Sequence, residues 1–439
     1  LIFSCCREQR KAIVRKISPT DLVNRTVGLV SNVLFAENVE TKLTEIEKLT
    51  IHFSEYPCSR IDARLLCMLL RLLKRGENEI LKECSRRCLS VLGYVDSPKG
   101  PGIRILSIDG GGTRGMMCLE VLQNLEDNLC GSKVSEVFDY IIGVSTGAII
   151  ATLISAKGIS IKRCKEIYMD LSRDLFNQDR FSGVSGLLTS YSYYNTKKWV
   201  RLLKQVLGED STLLDSCCRE GAPKLAVLSS IANAPTLQPF IFRNYGRLPG
   251  FDSHFKGGCN FLLWEAIQAS AAAPGYFEEV ALGSVLHQDG GILANNPTAI
   301  AVHEAKLLWP YETINCVISV GSGRTIAEAE SSELQDIITR IVDSATDTEL
   351  VHLIMRDLLP ANTYFRFNPY MSFPYTLDET DPEKLRQMGR DAQLYLRRNH
   401  AKLKAAANKL LEKPSFLQQF ARRVRRSAQL RGFLLPQAR

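Results

Sequence analysis

From Ile103 onward, short apolar segments alternate with longer segments of helical spacing, and this alternation restricts the fold more than any other feature. The segment "IRILSI" precedes a helix predicted from about Met116 to Leu129, and "FDYIIGV" precedes one predicted from about Gly147 to Ala156. The segments "KLAVLSSI" and "CVISVG" follow later, separated by helical stretches such as "LLWEAIQASAA" and "PTAIAVHEAKLL". Strands that alternate with helices predict an α/β fold with a mainly parallel sheet and helices on both faces.

Helical segments flank this α/β region on both sides. Before it, "ARLLCMLLRLLKRGENEILKECSRRCLSVLGYV" predicts two helices, one on each side of Gly76. Such a pair is compatible with an armadillo-like unit, but one pair does not establish a repeat. The turn residues of "DSPKGPG" then mark a boundary. We predict a helical region over 1–100, an α/β domain over 101–325, the remainder of that lobe over 326–380 and a basic helical C-terminal extension over 381–439.

The positive charge of the chain is concentrated in its last residues. Residues 393–439 contain twelve Lys and Arg but only one acidic residue, Glu412, and so carry +11, although the whole chain carries +8. The segment "FARRVRRSAQLRGFLL" mixes arginines with large apolar residues, among them Phe420, Phe433, Leu434 and Leu435. This composition is typical of contact with an anionic membrane surface, and an ordinary solvated helix face is the alternative. We predict no nucleic-acid partner because no recognised binding motif accompanies the charge.

The thirteen cysteines follow no regular framework and form no C-x-x-C pair, which predicts reduced thiols in an intracellular protein. Cys84 and Cys88 could share a helix face, but no histidine or second cysteine pair lies near them, so we predict no metal site. The most apolar window, 140–154, is short and interrupted by Gly, Ser and Thr. Any membrane contact is therefore expected to be peripheral. Because the chain begins with Leu1, we expect a fragment or a processed form from which a leader is missing.

The first apolar strand runs into "LSIDGGGTRG", where G-x-G-x-x-G can be read through Gly110, Gly112 and Gly115. A dinucleotide site would want an acidic residue about 20 residues further on, at the tip of the next strand. The acidic residues near that spacing fall in or just after the first helix. With Gly111, the loop offers several backbone N–H groups at a helix N-terminus, which suit a small anion. We therefore interpret this loop as an oxyanion hole in preference to a nucleotide site.

The second glycine motif is "GVSTG", a G-x-S-x-G between a predicted strand and a predicted helix. In a nucleophile elbow the serine lies on a strained turn that only small neighbours permit, and its hydroxyl is raised to the carboxyl edge of the sheet. Ser145, framed by Gly143 and Gly147, fits this description. The setting therefore predicts a serine nucleophile.

A serine nucleophile needs a base, and the sequence offers two kinds. His303 or His352 could complete a triad in the usual hydrolase order, although neither lies in a glycine-framed loop. In "HQDGGILANNP", Asp289 is followed by Gly290 and Gly291, a rigid turn that could present one carboxylate. An aspartate with an ordinary pKa of about 3.9 is a weak base toward a hydroxyl. The carboxylate would therefore need partial desolvation or a strong hydrogen bond.

The motifs "DGGGTRG", "GVSTG" and "DGG" occur in the order found in the patatin-like phospholipases, and the chain resembles that family over roughly 102–323. Further phrases, "FRNYG" and "SAAAPGYF", share the resemblance. It implies a patatin-type sheet, with 101–325 as the catalytic domain and core motifs at 105–302, and a Ser-Asp dyad without histidine. Carried over, Ser145 is the nucleophile, Asp289 is the base, Gly110, Gly111 and Gly112 line the oxyanion hole, and Arg114 and Gly115 support that loop.

The resemblance also implies a function: hydrolysis of fatty acyl esters of glycerophospholipids without calcium or any cofactor, with release of free fatty acid and lysophospholipid. An acyltransferase or neutral-lipid lipase with the same dyad stays open, and a nucleotide-binding regulatory module is the remaining alternative. Family resemblance further implies peripheral attachment to mitochondrial or endoplasmic reticulum membranes. The ending "LLPQAR" lacks a peroxisomal signal, so we do not expect peroxisomal delivery. The sequence carries no signal of an oligomeric state.

Overall fold

The computed structural model describes residues 17–59, 63–75, 78–176, 193–247, 250–325 and 348–431. The helices are α1 (Pro19–Phe35), α2 (Val39–Glu55), α3 (Ala63–Arg75), α4 (Glu79–Val91), α5 (Gly115–Asp127), α6 (Val134–Val137), α7 (Thr146–Ser155), α8 (Ile161–Phe176), α9 (Thr196–Leu207), α10 (Leu263–Ser270), α11 (Gly291–Ala294), α12 (Thr298–Leu308), α13 (Thr348–Leu358), α14 (Pro382–Arg398), α15 (His400–Leu411) and α16 (Phe416–Arg431). The strands are β1 (Ile103–Ile108), β2 (Tyr140–Val144), β3 (Lys224–Ile231), β4 (Gln238–Arg243), β5 (Lys256–Gly258), β6 (Val280–Leu282), β7 (Val285–Asp289), β8 (Ile314–Val320), β9 (Arg324–Thr325), β10 (Tyr364–Phe367) and β11 (Tyr370–Met371).

The main sheet of the described residues contains nine strands. Its path runs β10-β8-β1-β2-β3-β4-β5, and β7 pairs with β3 and β6. The five strands from β10 to β3 are parallel, whereas β4 and β7 are each antiparallel to β3. Ile108 lies opposite Gly143, so the chain leaves β1 and β2 at one edge of the sheet. The predicted mainly parallel sheet is confirmed, and the carboxyl edge of parallel strands is where such sheets place their sites.

Apolar side chains cover both faces of this sheet, because successive strand residues point to opposite sides. On one face, Leu106, Ile108 and Ile141 pack with α5, α7 and α8. On the other, Ile105 and Ile142 pack with α12 and with Met355 of α13. Strands β1 and β2 are buried along their whole length, which accounts for their mainly apolar composition.

The N-terminal helices α1 to α4 form a core of their own that contacts the sheet domain. The helix pair predicted on either side of Gly76 corresponds to α3 and α4. Leu214 and Cys259, from the sheet domain, belong to the same apolar cluster as these helices. Ser90 of α4 donates its hydroxyl to the Asn244 carbonyl at 2.8 Å and accepts the Gly246 N–H at 2.7 Å. The helical region is thus bound to the sheet domain, and its likeness to an armadillo unit stays a prediction.

The C-terminal part is helical, as predicted, and much of it belongs to the core of the sheet domain. The sequence predicted one charged helical stretch beyond residue 380, whereas the described residues 381–431 form three helices, with the first break at Asn399. Leu396, Leu403 and Ala407 are at most 3% exposed and lie in the same cluster as Leu106. Helix α16 buries none of its residues. The apolar residues after Arg431, including Phe433, Leu434 and Leu435, lie outside the described residues.

Within the described part of the chain, no helix combines the length and the apolar character that a membrane crossing requires.

Candidate active site

Ser145 lies on a tight turn between β2 and α7. Its backbone has φ 52° and ψ −122°, a strained conformation for a residue with a side chain. A Cβ at Gly143 would approach the Gly147 carbonyl oxygen to 2.1 Å, and one at Gly147 would approach the Ile108 oxygen to 2.3 Å. The predicted elbow glycines are therefore sterically required. The Ser145 N–H donates to the Ser270 hydroxyl at 2.9 Å, and this hydrogen bond attaches the turn to α10.

The structure brings Asp289 directly to this serine. Asp289 is the last residue of β7 and lies opposite Ser229 of β3. The Ser145 hydroxyl donates to Asp289 Oδ2 at 2.6 Å, while Asp289 Oδ1 accepts the Gly291 N–H at 2.6 Å. A Cβ at Gly290 would come within 2.4 Å of the Leu228 carbonyl oxygen. A Cβ at Gly291 would come within 2.9 Å of Asp289 Oδ1, so each glycine of the acid turn has a steric reason to be present.

Burial strengthens Asp289 as a base. Its residue is 6% exposed, and burial raises the pKa of its carboxyl group to about 6, although the hydrogen bonds from Ser145 and Gly291 act in the opposite direction. A carboxylate with this pKa is ionised at neutral pH and holds a proton more tightly than an ordinary aspartate. We expected that Asp289 would need either partial desolvation or a strong hydrogen bond to act as the base. The structure shows both its burial and a 2.6 Å hydrogen bond from Ser145.

The glycine loop between β1 and α5 has all three of its glycine carbonyls occupied. Each oxygen accepts a hydrogen bond from a different part of the site: Gly110 O from Ser322 Oγ at 2.6 Å, Gly111 O from Arg114 Nε at 3.4 Å, and Gly112 O from Thr146 Oγ1 at 2.8 Å and Tyr168 Oη at 2.5 Å. Arg114 therefore anchors the loop. A Cβ at Gly115 would meet the Thr146 side chain at 2.2 Å, so the loop packs closely against the elbow.

The three N–H groups of this loop are not equivalent. The Gly110 N–H already donates to Asn295 Oδ1 at 3.0 Å. The N–H groups of Gly111 and Gly112 have no hydrogen-bond partner in the described part of the chain. Gly110 was predicted to line an oxyanion hole, but its only N–H is engaged by Asn295, so the structure leaves two of the three predicted donors available. Asn295 lies four residues after Gly291 and was not among the residues predicted for the site.

The histidines proposed as alternative bases are engaged elsewhere. No described histidine forms a hydrogen bond with Ser145 or Asp289. His303 packs edge-on against Phe255, and His352 Nδ1 lies 3.3 Å from the Tyr364 hydroxyl. His287 is two residues before Asp289, but its Nδ1 lies 2.9 Å from Ser229 Oγ, and burial lowers its pKa to about 4. The geometry therefore supports a two-residue arrangement.

An apolar cleft opens beside Ser145 and Asp289. Helices α8 and α9 and the segments near 271–277 and 377 enclose it. Its lining includes Ile149, Leu171, Leu175, Phe176, Trp199, Tyr276, Phe277, Ile292 and Leu377, together with Gly111 and Gly112. A hydrocarbon chain could lie here with its carbonyl group next to the serine and the glycine loop.

A buried ion pair fixes the start of the glycine loop. Arg366 of β10 donates to both oxygens of Asp109, at 2.9 and 2.6 Å, and both side chains are at most 3% exposed. Arg366 also donates to the Ser319 hydroxyl at 2.9 Å. A bidentate pair of this kind fixes orientation as well as distance. The pair holds the residue before Gly110, and no contiguous motif indicates it.

A family model described as "Patatin-like phospholipase" matches residues 106–302, the segment that contains the glycine loop, the elbow and the acid turn. The chain belongs to the patatin-like phospholipase family. This patatin-like chain is 41% identical to calcium-independent phospholipase A2-gamma of Oryctolagus cuniculus over 418 residues, 93% of this chain and 52% of the relative. It is also 41% identical to the Homo sapiens protein of that name, over 93% of this chain and 53% of the relative. Phospholipase A I of Arabidopsis thaliana is 32% identical over 72% of this chain and 29% of the relative. The patatin-like chain thus spans about half the length of the two mammalian relatives.

Proposed function

We propose that this patatin-like chain hydrolyses fatty acyl esters of glycerophospholipids through Ser145 and Asp289, releasing a fatty acid and a lysophospholipid. The proposal rests on the 2.6 Å hydrogen bond from Ser145 Oγ to Asp289 Oδ2 beside the apolar cleft. Relatives named calcium-independent phospholipase A2-gamma and phospholipase A I support this substrate class and a reaction without calcium. The same comparisons favour a lipid ester over a nucleotide at the glycine loop.

In the first half of the reaction, ionised Asp289 accepts the hydroxyl proton while Ser145 Oγ attacks the acyl carbonyl carbon. The negative charge on the resulting tetrahedral intermediate faces the N–H groups of Gly111 and Gly112. When the intermediate collapses, the ester C–O bond breaks and Asp289 gives its proton to the leaving lysophospholipid oxygen. Backbone dipoles fixed before the reaction stabilise the developing charge without reorganisation.

In the second half, Asp289 accepts a proton from a water molecule that attacks the acyl-enzyme carbonyl carbon. The Ser145–acyl bond then breaks, the proton returns to Ser145 Oγ, and the fatty acid leaves. Asn295 acts through the loop: by accepting the Gly110 N–H it fixes the two following N–H groups relative to Ser145. Its role is that of a positioning residue. The cleft lined by α8 and α9 would hold the acyl chain during both halves.

We further propose peripheral attachment to an anionic organelle membrane, mitochondrial or endoplasmic reticulum, through α16. The inner side of this helix is fixed, because Arg422 donates to the carbonyls of Pro98 and Gly100 at 3.0 and 2.9 Å. Its outer side presents Phe416, Leu417, Phe420 and Val424, which are 78%, 77%, 58% and 53% exposed. Exposed apolar residues next to arginines are typical of interfacial helices. Helix α16 contacts the residues before β1, whereas Ser145 lies at the opposite end of the strands. Binding of α16 to a membrane would therefore tether the enzyme without closing the cleft.

Product analysis on a defined phosphatidylcholine tests the proposed hydrolysis. We expect equimolar fatty acid and lysophosphatidylcholine, undiminished by excess chelator, and no product from Ser145→Ala. Strict dependence on calcium, or full activity in Ser145→Ala with an unchanged melting temperature, would overturn the proposal. Transfer of the acyl group to an added alcohol in preference to water would assign the same dyad to an acyltransferase.

A further inference from the structure

A second cavity, of about 820 Å³, lies at the end of the sheet opposite Ser145. Lys224 begins β3 and donates its N–H to the Asp139 carbonyl just before β2, whereas Ser145 follows the far end of β2. One wall of the cavity comes from the sheet domain, another from α4, and a third from α16. The cavity is therefore built at the junction of the three parts of the chain.

The sheet-domain wall carries three cations without an acidic partner. Within the described residues, Lys99, Arg219 and Lys224 have no carboxylate oxygen within 4.0 Å. Their hydrogen bonds go to neutral oxygens: Lys99 Nζ to the carbonyls of Ser135 and Phe138 at 3.0 and 2.6 Å, Arg219 Nη2 to Ser155 O at 3.1 Å, and Lys224 Nζ to Ser90 Oγ at 2.9 Å.

The carboxylate of Asp139 lies among these cations, but both of its oxygens already accept backbone hydrogen bonds. Asp139 accepts the backbone N–H of Lys99 on one oxygen at 2.9 Å and that of Arg104 on the other at 2.8 Å. The lysines are half-buried, and burial lowers the pKa of Lys99 to about 8 and also lowers that of Lys224. Burying a positive charge costs free energy when too little negative charge surrounds it. A bound anion would offset that cost.

The other walls add further positive charge. Among the described residues, Arg86 of α4 pairs with one carboxylate, that of the exposed Glu220 at 3.5 Å, and it donates to the Cys218 carbonyl. Arg426 of α16 has no ion pair or hydrogen bond among the described residues, while Arg422 and Arg425 share Glu312. In all, eight basic and five acidic residues line the cavity, with Trp309 forming part of an apolar wall. The excess favours an anion with several acceptor oxygens over a single carboxylate.

We propose that this junction cavity binds a phosphate-bearing ligand, held chiefly by Lys99, Arg219 and Lys224. Such a ligand would contact the N-terminal helices, the sheet domain and α16 at once, and would stabilise their association. The phosphate groups could belong to a soluble phosphate ester or to the headgroup of an anionic phospholipid. The proposal does not depend on hydrolysis, because the cavity and the Ser145 site lie at opposite ends of the sheet.

Two probes distinguish these sources in the Ser145→Ala chain at physiological ionic strength. Calorimetric titration with inorganic pyrophosphate tests the soluble source. Co-sedimentation with phosphatidylcholine vesicles, with and without phosphatidic acid, tests the lipid source. The cavity variant is Arg219→Gln/Lys224→Met, and the matched control is Arg201→Gln/Lys306→Met, which removes the same charges from exposed positions outside the cavity. Arg219→Gln alone, at the exposed rim, serves if the double variant does not fold.

We expect at least one probe to bind, with the cavity variant weakening its affinity by about tenfold or more and the control variant changing it less than about twofold. Loss of pyrophosphate binding would assign a soluble phosphate ester, and loss of vesicle binding alone would assign a lipid headgroup. The proposal is overturned if neither probe binds, or if the cavity and control variants bind equally well. Melting temperatures without ligand confirm that both variants are folded.

Discussion

Ser145 Oγ donates directly to Asp289 Oδ2 at 2.6 Å, and the second oxygen of that carboxylate is held by the Gly291 N–H. The acid is therefore oriented by its own turn and needs no intermediate residue to reach the serine. Asp289→Asn keeps the shape of the side chain but cannot accept the serine proton. We expect kcat on a soluble monomeric ester to fall about a hundredfold to ten-thousandfold.

The histidines supply the comparison for this variant. His303 and His352 contact Phe255 and Tyr364 and are expected to be dispensable for the chemistry. His303→Ala and His352→Ala should keep kcat within about threefold of the parent, provided that their melting temperatures show intact folding. A loss in either folded variant as large as that in Asp289→Asn would mean that a histidine serves as the base.

The pH dependence of the reaction follows from the burial of Asp289. The base acts only when ionised, and burial raises its pKa to about 6. We expect kcat/KM to be low below that pH, to rise through an apparent pKa of about 6, and to level off toward neutral pH. In Asp289→Asn this inflection should disappear from the residual activity. A profile that is flat from about pH 5 to about pH 8 in the parent would contradict the assignment.

Asn295 can be tested by removing its amide while keeping its size. Asn295→Leu leaves the Gly110 N–H without its acceptor and frees the loop that presents the Gly111 and Gly112 N–H groups. Loss of one oxyanion donor typically costs about a hundredfold to a thousandfold in kcat. We expect kcat to fall about tenfold to a hundredfold, because the donors are displaced and not removed, with KM changed less than about threefold. Unchanged kcat in a folded variant would remove Asn295 from the site.

Membrane attachment through α16 can be separated from its structural contacts. Truncation after Leu411 would also remove the Arg422 hydrogen bonds to the segment before β1, so a point variant is more informative. Phe416→Ser/Phe420→Ser should weaken binding to anionic vesicles several-fold and leave cleavage of a soluble ester intact. The matched control, Val23→Ser/Val27→Ser, changes two apolar residues of α1 that are each 60% exposed. Equal vesicle binding by the two variants would leave α16 as a solvated helix.

The local parts of the site could be predicted because each rests on a contiguous motif. The strained turn at Ser145 requires small neighbours at fixed offsets, and the acid turn at Asp289 requires glycines directly after it. The alternation of apolar strands and helices likewise predicted the sheet without any knowledge of its register.

The parts that escaped prediction depend on pairings between distant segments. Gly110 and Asn295 are 185 residues apart, and Asp109 and Arg366 are 257 apart, so no spacing rule connects them. Whether an N–H such as that of Gly110 is free also depends on side chains that arrive from elsewhere in the fold. The junction cavity has the same origin, since its cations come from α4, the sheet domain and α16.

Labelling with a fluorophosphonate probe tests both whether Ser145 is the nucleophile and whether Asp289 activates it. We expect one covalent adduct, mapped to Ser145 by mass spectrometry, with a labelling rate reduced about a hundredfold or more in Asp289→Asn. The rate should be unchanged in His303→Ala. An adduct on another residue in the active parent would exclude Ser145 as the nucleophile, and undiminished labelling of Ser145 in Asp289→Asn would exclude Asp289 as its base.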